Sequence, residues 1–168
     1  MVITDIDNTI AETGALLCRA FDIPEEIYPA PTPPGFWEDT GLLIFSRAKP
    51  FSGVREILEI YSDGLGGLTY LTCRPPIAEF ITKRWLRLHG FPDAPVVFCR
   101  NAQEKAEKAE ALGAALALED DPEAVLLYDR AGIVVLMPDR PYNRHVDLPG
   151  VARVREVMEW RRRLTPYR

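Results

Sequence analysis

Asp5-Ile6-Asp7 places two carboxylates two residues apart at the end of an apolar run that starts at Met1. In an extended strand residues i and i+2 share a face, so both acids can be aimed at one spot. Carboxylates that close repel each other until a cation or a shared proton lies between them. A second run, Leu68-Thr-Tyr-Leu-Thr72, leads into Cys73-Arg74-Pro75, a hydroxyl followed by the backbone N–H groups of an expected helix start. Such a combination cradles an anion, phosphate above all. A third acidic point is Glu119-Asp120-Asp121 after Ala115-Leu-Ala-Leu118. Three successive acids there need charge compensation, part of which Lys105 can supply from the preceding helical stretch. The simplest ligand for this set is a hard divalent cation, Mg²⁺, held by carboxylates, water and a phosphate oxygen.

These residues must be positioned by the elements that carry them. Short apolar runs at 1–7, 68–73, 96–99, 115–118 and 132–137 have the continuous hydrophobicity of strands buried on both faces. Between them lie helical patterns. Ser52 to Tyr61 opens with Ser52 as N-cap. Pro75 to Leu88 carries Ile77, Phe80, Ile81 and Leu88 on one face. Ala102 to Leu112 stops at Gly113, and Pro122 to Tyr128 starts on proline. Val151 to Leu164 reads as a last, arginine-rich helix. Strands alternating with helices predict an α/β fold: a Rossmann-like, three-layer parallel sheet in a single domain over 1–168. In such sheets ligands bind beyond the carboxyl ends of the strands, where all three acidic or hydroxyl clusters fall. Residues 11–50 break the rhythm. Pro24 to Pro50 holds six prolines, with Phe36, Trp37 and Phe45 among them. An interruption of that length predicts an inserted cap or lid.

The 168 residues are 47% hydrophobic and 27% charged, with a net charge of −5. That balance argues against a protein that coats nucleic acid. No apolar run is long enough to span a membrane. Met1 runs directly into the first strand, so a cytoplasmic protein with no removable leader is expected. Cys18, Cys73 and Cys99 show no metal-binding spacing and are expected to be reduced thiols. His89 and His145 have no histidine partner at ligand spacing. Oligomeric state is not encoded in any pattern of this chain.

In sum of motifs, Asp5-Ile-Asp7-Asn-Thr9 resembles the first motif, D-x-D-x-T, of the haloacid dehalogenase superfamily. Leu71-Thr72-Cys-Arg-Pro resembles its second, Lys105 through Gly113 its third, and Leu118-Glu119-Asp120-Asp121 its acidic fourth. The order agrees from Val2 to Met137. The resemblance implies a phosphatase with a small inserted cap. In it Asp5 would be the nucleophile and Asp7 the acid and base, its backbone carbonyl also touching the metal. Thr72 and Lys105 would hold the phosphoryl oxygens, and Asp5, Asp7 and Asp120 would ligate Mg²⁺. Dehalogenases of this group lack an aspartate at the place of Asp7, so its presence points to phosphoryl transfer. Asp139-Arg-Pro-Tyr-Asn-Arg144 and the following helix look similar to the 5′(3′)-deoxyribonucleotidase-like branch. That implies a small phosphate ester, a nucleotide, as substrate, with Phe36 and Trp37 as stacking surfaces and Arg47 and Lys49 near the phosphate.

Alternatives stand beside several of these assignments. Lys108 lies one turn from Lys105, and Asp121 beside Asp120, with Asp121 also suited to N-cap the next helix. Glu119 is either a ligand or a support for one. Cys73 contributes its backbone N–H and Arg74 a substrate contact or a surface charge, while Phe36 and Trp37 also read as cap core. Rival functions are a sugar-phosphate phosphatase, a polynucleotide-end phosphatase, and a catalytically silent binding module on the same fold.

Overall fold

The computed structural model describes residues 1–155. Alternation along the short apolar runs sorts their side chains into two cores. Val2, Leu68, Tyr70, Leu116, Leu118 and Leu136 enter one. Ile3, Leu71, Ala117, Val135 and Met137 enter the other. Both faces of one sheet are therefore covered, as a parallel sheet requires. Its strands are β1 (Val2–Thr4), β2 (Leu68–Thr72), β3 (Val96–Phe98), β4 (Leu116–Leu118), β5 (Val134–Met137) and β6 (Val151–Arg153). All pairs are parallel, in the order β3-β2-β1-β4-β5-β6. The expected α/β parallel architecture is what forms.

The helices are α1 (Thr13–Phe21), α2 (Gly41–Arg47), α3 (Val54–Leu65), α4 (Glu79–Leu88), α5 (Ala102–Ala111) and α6 (Pro122–Arg130). Ile57 and Leu58 of α3 and Trp85 and Leu86 of α4 fill the first core. Ala102, Ala106 and Ala109 of α5 meet Val125 and Tyr128 of α6 in the second. The alanine face lets α5 lie close against its neighbours. Residues 11–50 contain α1, a 3₁₀ turn at Phe36–Glu38 and α2.

Four local expectations are corrected. Gly53, with φ of 80°, and not Ser52, occupies the N-cap of α3, and no side chain caps that end. The stretch from Pro75 begins as a 3₁₀ turn, Pro76–Ala78, before α4. The apolar face read onto it points outward: Ile77, Phe80 and Leu88 are 61%, 68% and 70% exposed, whereas Trp85 is 2% exposed. Trp85 decides the orientation, because it donates Nε1–H to Ala48 O (2.7 Å) and stacks on Phe91. Val151–Arg153 is strand, not helix, because β5 would otherwise leave an unpaired edge; Val135 N–H is bonded to Gly150 O. The rest of the expected last helix, from residue 156 onward, lies outside the described residues.

Sheet order places the site. Successive strands move outward from β1 in one direction through β2 and β3, then in the other through β4, β5 and β6. The reversal lies between β1 and β4, which opens a crevice beyond their carboxyl ends. Thr4 is level with both Tyr70 and Leu118, so Asp5 and Glu119 emerge side by side. No helix among the described residues is long and apolar enough to cross a membrane.

Candidate active site

Asp5 follows the buried β1 directly and keeps its backbone in the sheet, donating its N–H to Leu118 O (2.9 Å). Its carboxylate meets Lys105 Nζ at 2.9 Å, and the same ammonium reaches Glu119 Oε2 at 2.9 Å. Lys105 is 3% exposed and comes in from α5. Lys108, one turn on, faces outward and pairs with Glu104. Burial raises the pKa of Asp5 and of Glu119. Burial opposes charge on Lys105 too, but Asp5 and Glu119 together hold its ammonium well above the ordinary value.

Asp120 completes the cluster. Burial, reinforced by Asp5, pushes its carboxyl up to about 7. Thr9 and Tyr142 donate their hydroxyls to it, and Asn143 Nδ2 donates to its carbonyl. Asp121 lies outside the cluster, on the cavity wall, and caps α6 by accepting from Glu123 N–H. Oxygens of Asp5, Glu119 and Asp120 lie within 4.8 Å of one another. Three buried carboxylates against one ammonium leave an excess of negative charge. The donor set is all oxygen and suits a hard divalent cation, which would relieve that excess. The residues present thus fit a metal of the Mg²⁺ type.

Asp7 stands outside this triplet. Arg74 grips it from two directions, Nη2 to Oδ1 at 2.7 Å and Nε to Oδ2 at 2.9 Å, and Thr13 donates a further bond to Oδ1. Arg74 is itself 2% exposed. Its Nη1 donates to Thr82, and its guanidinium lies over the Phe45 ring at 4.2 Å. The chain turns sharply after Asp7, where Asn8 takes a φ of 59°. Asn8 Oδ1 receives Gly14 N–H, and a Cβ at Gly14 would sit 2.5 Å from that oxygen. Glycine is needed there to let α1 approach the turn.

Asp5, Asp7, Arg74 and Lys105 open into a cavity of about 800 Å³, bounded on the other side by Trp37 and Phe45. Cys73 also lines it, its thiol pushed up to about 12, mainly by desolvation. Thr72 is fully buried, accepts Arg74 N–H on Oγ1, and is not part of the cavity wall. Phe36 is buried within the 11–50 segment between Phe21 and Trp37, away from the cavity. Arg47 ends α2 on an exposed surface, also away from it. Sequence reasoning gave Thr9, Thr13, Tyr142 and Asn143 no role at the site, although Thr9 stands in the D-x-D-x-T motif and Tyr142 and Asn143 in the 139–144 stretch. Thr9, Thr13 and Tyr142 donate to carboxylates and Asn143 to a backbone carbonyl, pairings that spacing along the chain does not reveal. Among the described residues no buried side-chain nitrogen or oxygen lacks a hydrogen-bond partner.

No family model matches this sequence, and a search of curated proteins gives no match. Solved structures do match it. A haloacid dehalogenase family hydrolase from Deinococcus radiodurans, with bound phosphate and sodium, has a TM-score of 0.59 at 14% identity, over 98% of this chain and 94% of that one. A protein described as a β-phosphoglucomutase from Thermotoga maritima gives 0.57 at 17% identity, over 97% and 98%. A chain of the Pnkp1/Rnl/Hen1 RNA repair complex gives 0.51 at 13% identity, over 82% of this chain but 41% of that one. The fold is that of the haloacid dehalogenase-like hydrolases.

Proposed function

We propose that this chain is a Mg²⁺-dependent phosphomonoesterase that works through an aspartyl-phosphate on Asp5. The observation that carries the reading is Lys105, buried between Asp5 and Glu119 where the cavity meets the ends of β1 and β4. It orients the Asp5 carboxylate and offers positive charge to phosphoryl oxygens. In the first step an Asp5 oxygen bonds to phosphorus, the ester P–O bond breaks, and Asp7 in its protonated form gives its proton to the leaving oxygen. In the second, Asp7 takes a proton from water, the water oxygen bonds to phosphorus, and Asp5 and inorganic phosphate are released. Arg74 holds the Asp7 carboxyl in one orientation for both proton transfers. A divalent cation held by Asp5 and Asp120, with Glu119 beside them, would polarise the phosphoryl oxygens.

The 11–50 segment acts in this reading as the cap, and the leaving group is a nucleoside with Trp37 as its aromatic contact. The supporting observation is that Trp37, stacked on Phe45 at 5.1 Å, reaches the cavity wall. A terminal phosphate on a polynucleotide is the second reading, favoured by Arg100 and Arg144, both exposed and both on the lining.

Phosphate release from nucleoside monophosphates, sugar phosphates, an aryl phosphate and a 3′-phosphorylated oligonucleotide, with Mg²⁺ or with EDTA, tests these assignments. Release that needs Mg²⁺ and is lost in Asp5→Asn is expected, with mononucleotides preferred. Activity retained by Asp5→Asn would remove Asp5 as nucleophile. Preference for the oligonucleotide would replace the substrate reading, and release in EDTA would remove the metal.

A further inference from the structure

Asp120 is 1% exposed, and each of its carboxylate oxygens receives one hydroxyl, Thr9 on Oδ1 and Tyr142 on Oδ2. A carboxylate oxygen has two lone-pair directions, so each keeps one free for another partner. With one hydroxyl on each oxygen, the two together hold the carboxylate against rotation.

Tyr142 is itself held. It sits in the 3₁₀ turn Pro141–Asn143 that follows β5. Fully buried Asn143 pins that turn, donating to Asp120 O (2.9 Å) and Pro138 O (3.0 Å) and accepting from Arg140 N–H and from Arg153 of β6. The backbone is thereby fixed, but the Tyr142 ring needs its own constraint. Tyr28 provides it from the segment between α1 and α2, stacking on Tyr142 with centroids 4.3 Å apart and planes 14° from parallel. Tyr28 also lines the cavity, so the ring that steadies Tyr142 belongs to the element that encloses the ligand.

We propose that Tyr142 is a positioning residue that orients Asp120 for a divalent cation, and that Tyr28 holds Tyr142 in place. The cavity-covering segment then sets the metal affinity of the strand-end cluster. The inference rests on the reading that Asp5, Glu119 and Asp120 hold a divalent cation. By linkage the coupling runs both ways, so a bound cation also favours the stacked position of Tyr28.

Calorimetric titration of the full chain with MgCl₂, at a temperature where every variant shows the wild-type far-UV spectrum, measures this directly. Tyr142→Phe keeps the stacked ring and removes only the hydroxyl, and its Kd should rise about 10- to 100-fold, the range for losing a group that supports a metal ligand. Tyr28→Leu, which loses the stack, should bind several-fold more weakly. The tyrosine difference absorbance that Mg²⁺ induces in the wild-type chain should be smaller in Tyr142→Phe. Equal affinity in Tyr142→Phe and wild type would overturn the role of Tyr142, and wild-type affinity in Tyr28→Leu would overturn the coupling. A wild-type chain that takes up no Mg²⁺ would overturn the inference together with the metal site beneath it.

Discussion

Asp5 and Asp7 are the same side chain two residues apart, yet the fold gives them opposite surroundings. Asp5 is 7% exposed and shares one ammonium with Glu119, so its negative charge is under-compensated. Asp7 has a side chain 26% exposed and a guanidinium of its own, supplied by an arginine that is sealed from water. Lysine is a point charge that two carboxylates can divide, whereas arginine's planar fork fits one carboxylate and fixes its orientation. In the proposed mechanism that contrast separates the group that attacks phosphorus from the one that passes a proton. The partner, not the residue type, makes the distinction.

The largest test of that division is Asp5→Asn, which should lower turnover by about 10⁴-fold or more in the phosphate-release assay, because no other oxygen stands in its place. Asp7→Asn should leave binding of inorganic phosphate measurable while turnover falls, and equal loss of both would collapse the comparison. Next comes Lys105→Met. It leaves Asp5 and Glu119 buried without their shared cation, so unfolding in urea should show a loss of about 3–5 kcal/mol. A stability unchanged in urea would mean that the cluster is compensated elsewhere. Arg74→Lys sharpens the other half. It keeps the charge and loses the fork, and kcat should fall about 10- to 100-fold with little change in KM, the cost of a misplaced proton carrier.

The smallest effect lies at an exposed pair that acts as the outer reference. Arg100 donates Nε–H and its backbone N–H to Glu104, and these bonds lower the Glu104 carboxyl to about 2. A carboxyl lowered by folding stabilises the native state above its unfolded value, and that contribution disappears as pH falls through the folded value. Glu104→Gln should therefore melt slightly below wild type at pH 7. The two melting temperatures should converge between about pH 4 and pH 2, and a gap that widened in acid would contradict the assigned direction.

Much of the fold could be read from the chain because strand signals here are short, apolar and bounded by charge. The same signals placed Asp5, Thr72 and Glu119-Asp120 at strand ends, since the doubly covered interior of a parallel sheet tolerates no unpaired charge. The face of α4 could not be read that way. Apolar spacing chose Ile77, Phe80 and Leu88, but Trp85 outweighs them by reaching across to Ala48, a contact set by the 11–50 segment and not by the helix. Strand β6 was hidden because Val151-Ala-Arg153 has no length of its own and becomes a strand only where β5 offers an edge. The hydroxyls on Asp120 come from Thr9, 111 positions away, and Tyr142, 22 positions away. The motif that contains Thr9 gives no sign of which distant carboxylate it serves.

The position of β1 has a consequence for how the molecule comes together. Val2 is paired to Leu68 on one side and Leu116 on the other. The strand that leads into Asp5 is thus one of the two central strands of the sheet while its neighbours are distant in the chain. Contacts of that span close large loops, which slows folding relative to a chain of local contacts. A chain that has added β2 but not β4 has Asp5 beside one neighbour, with neither Glu119 nor Asp120 in reach. The acidic cluster therefore waits on the pairing of β4 with β1, the longer of the two reaches that β1 makes in the sheet.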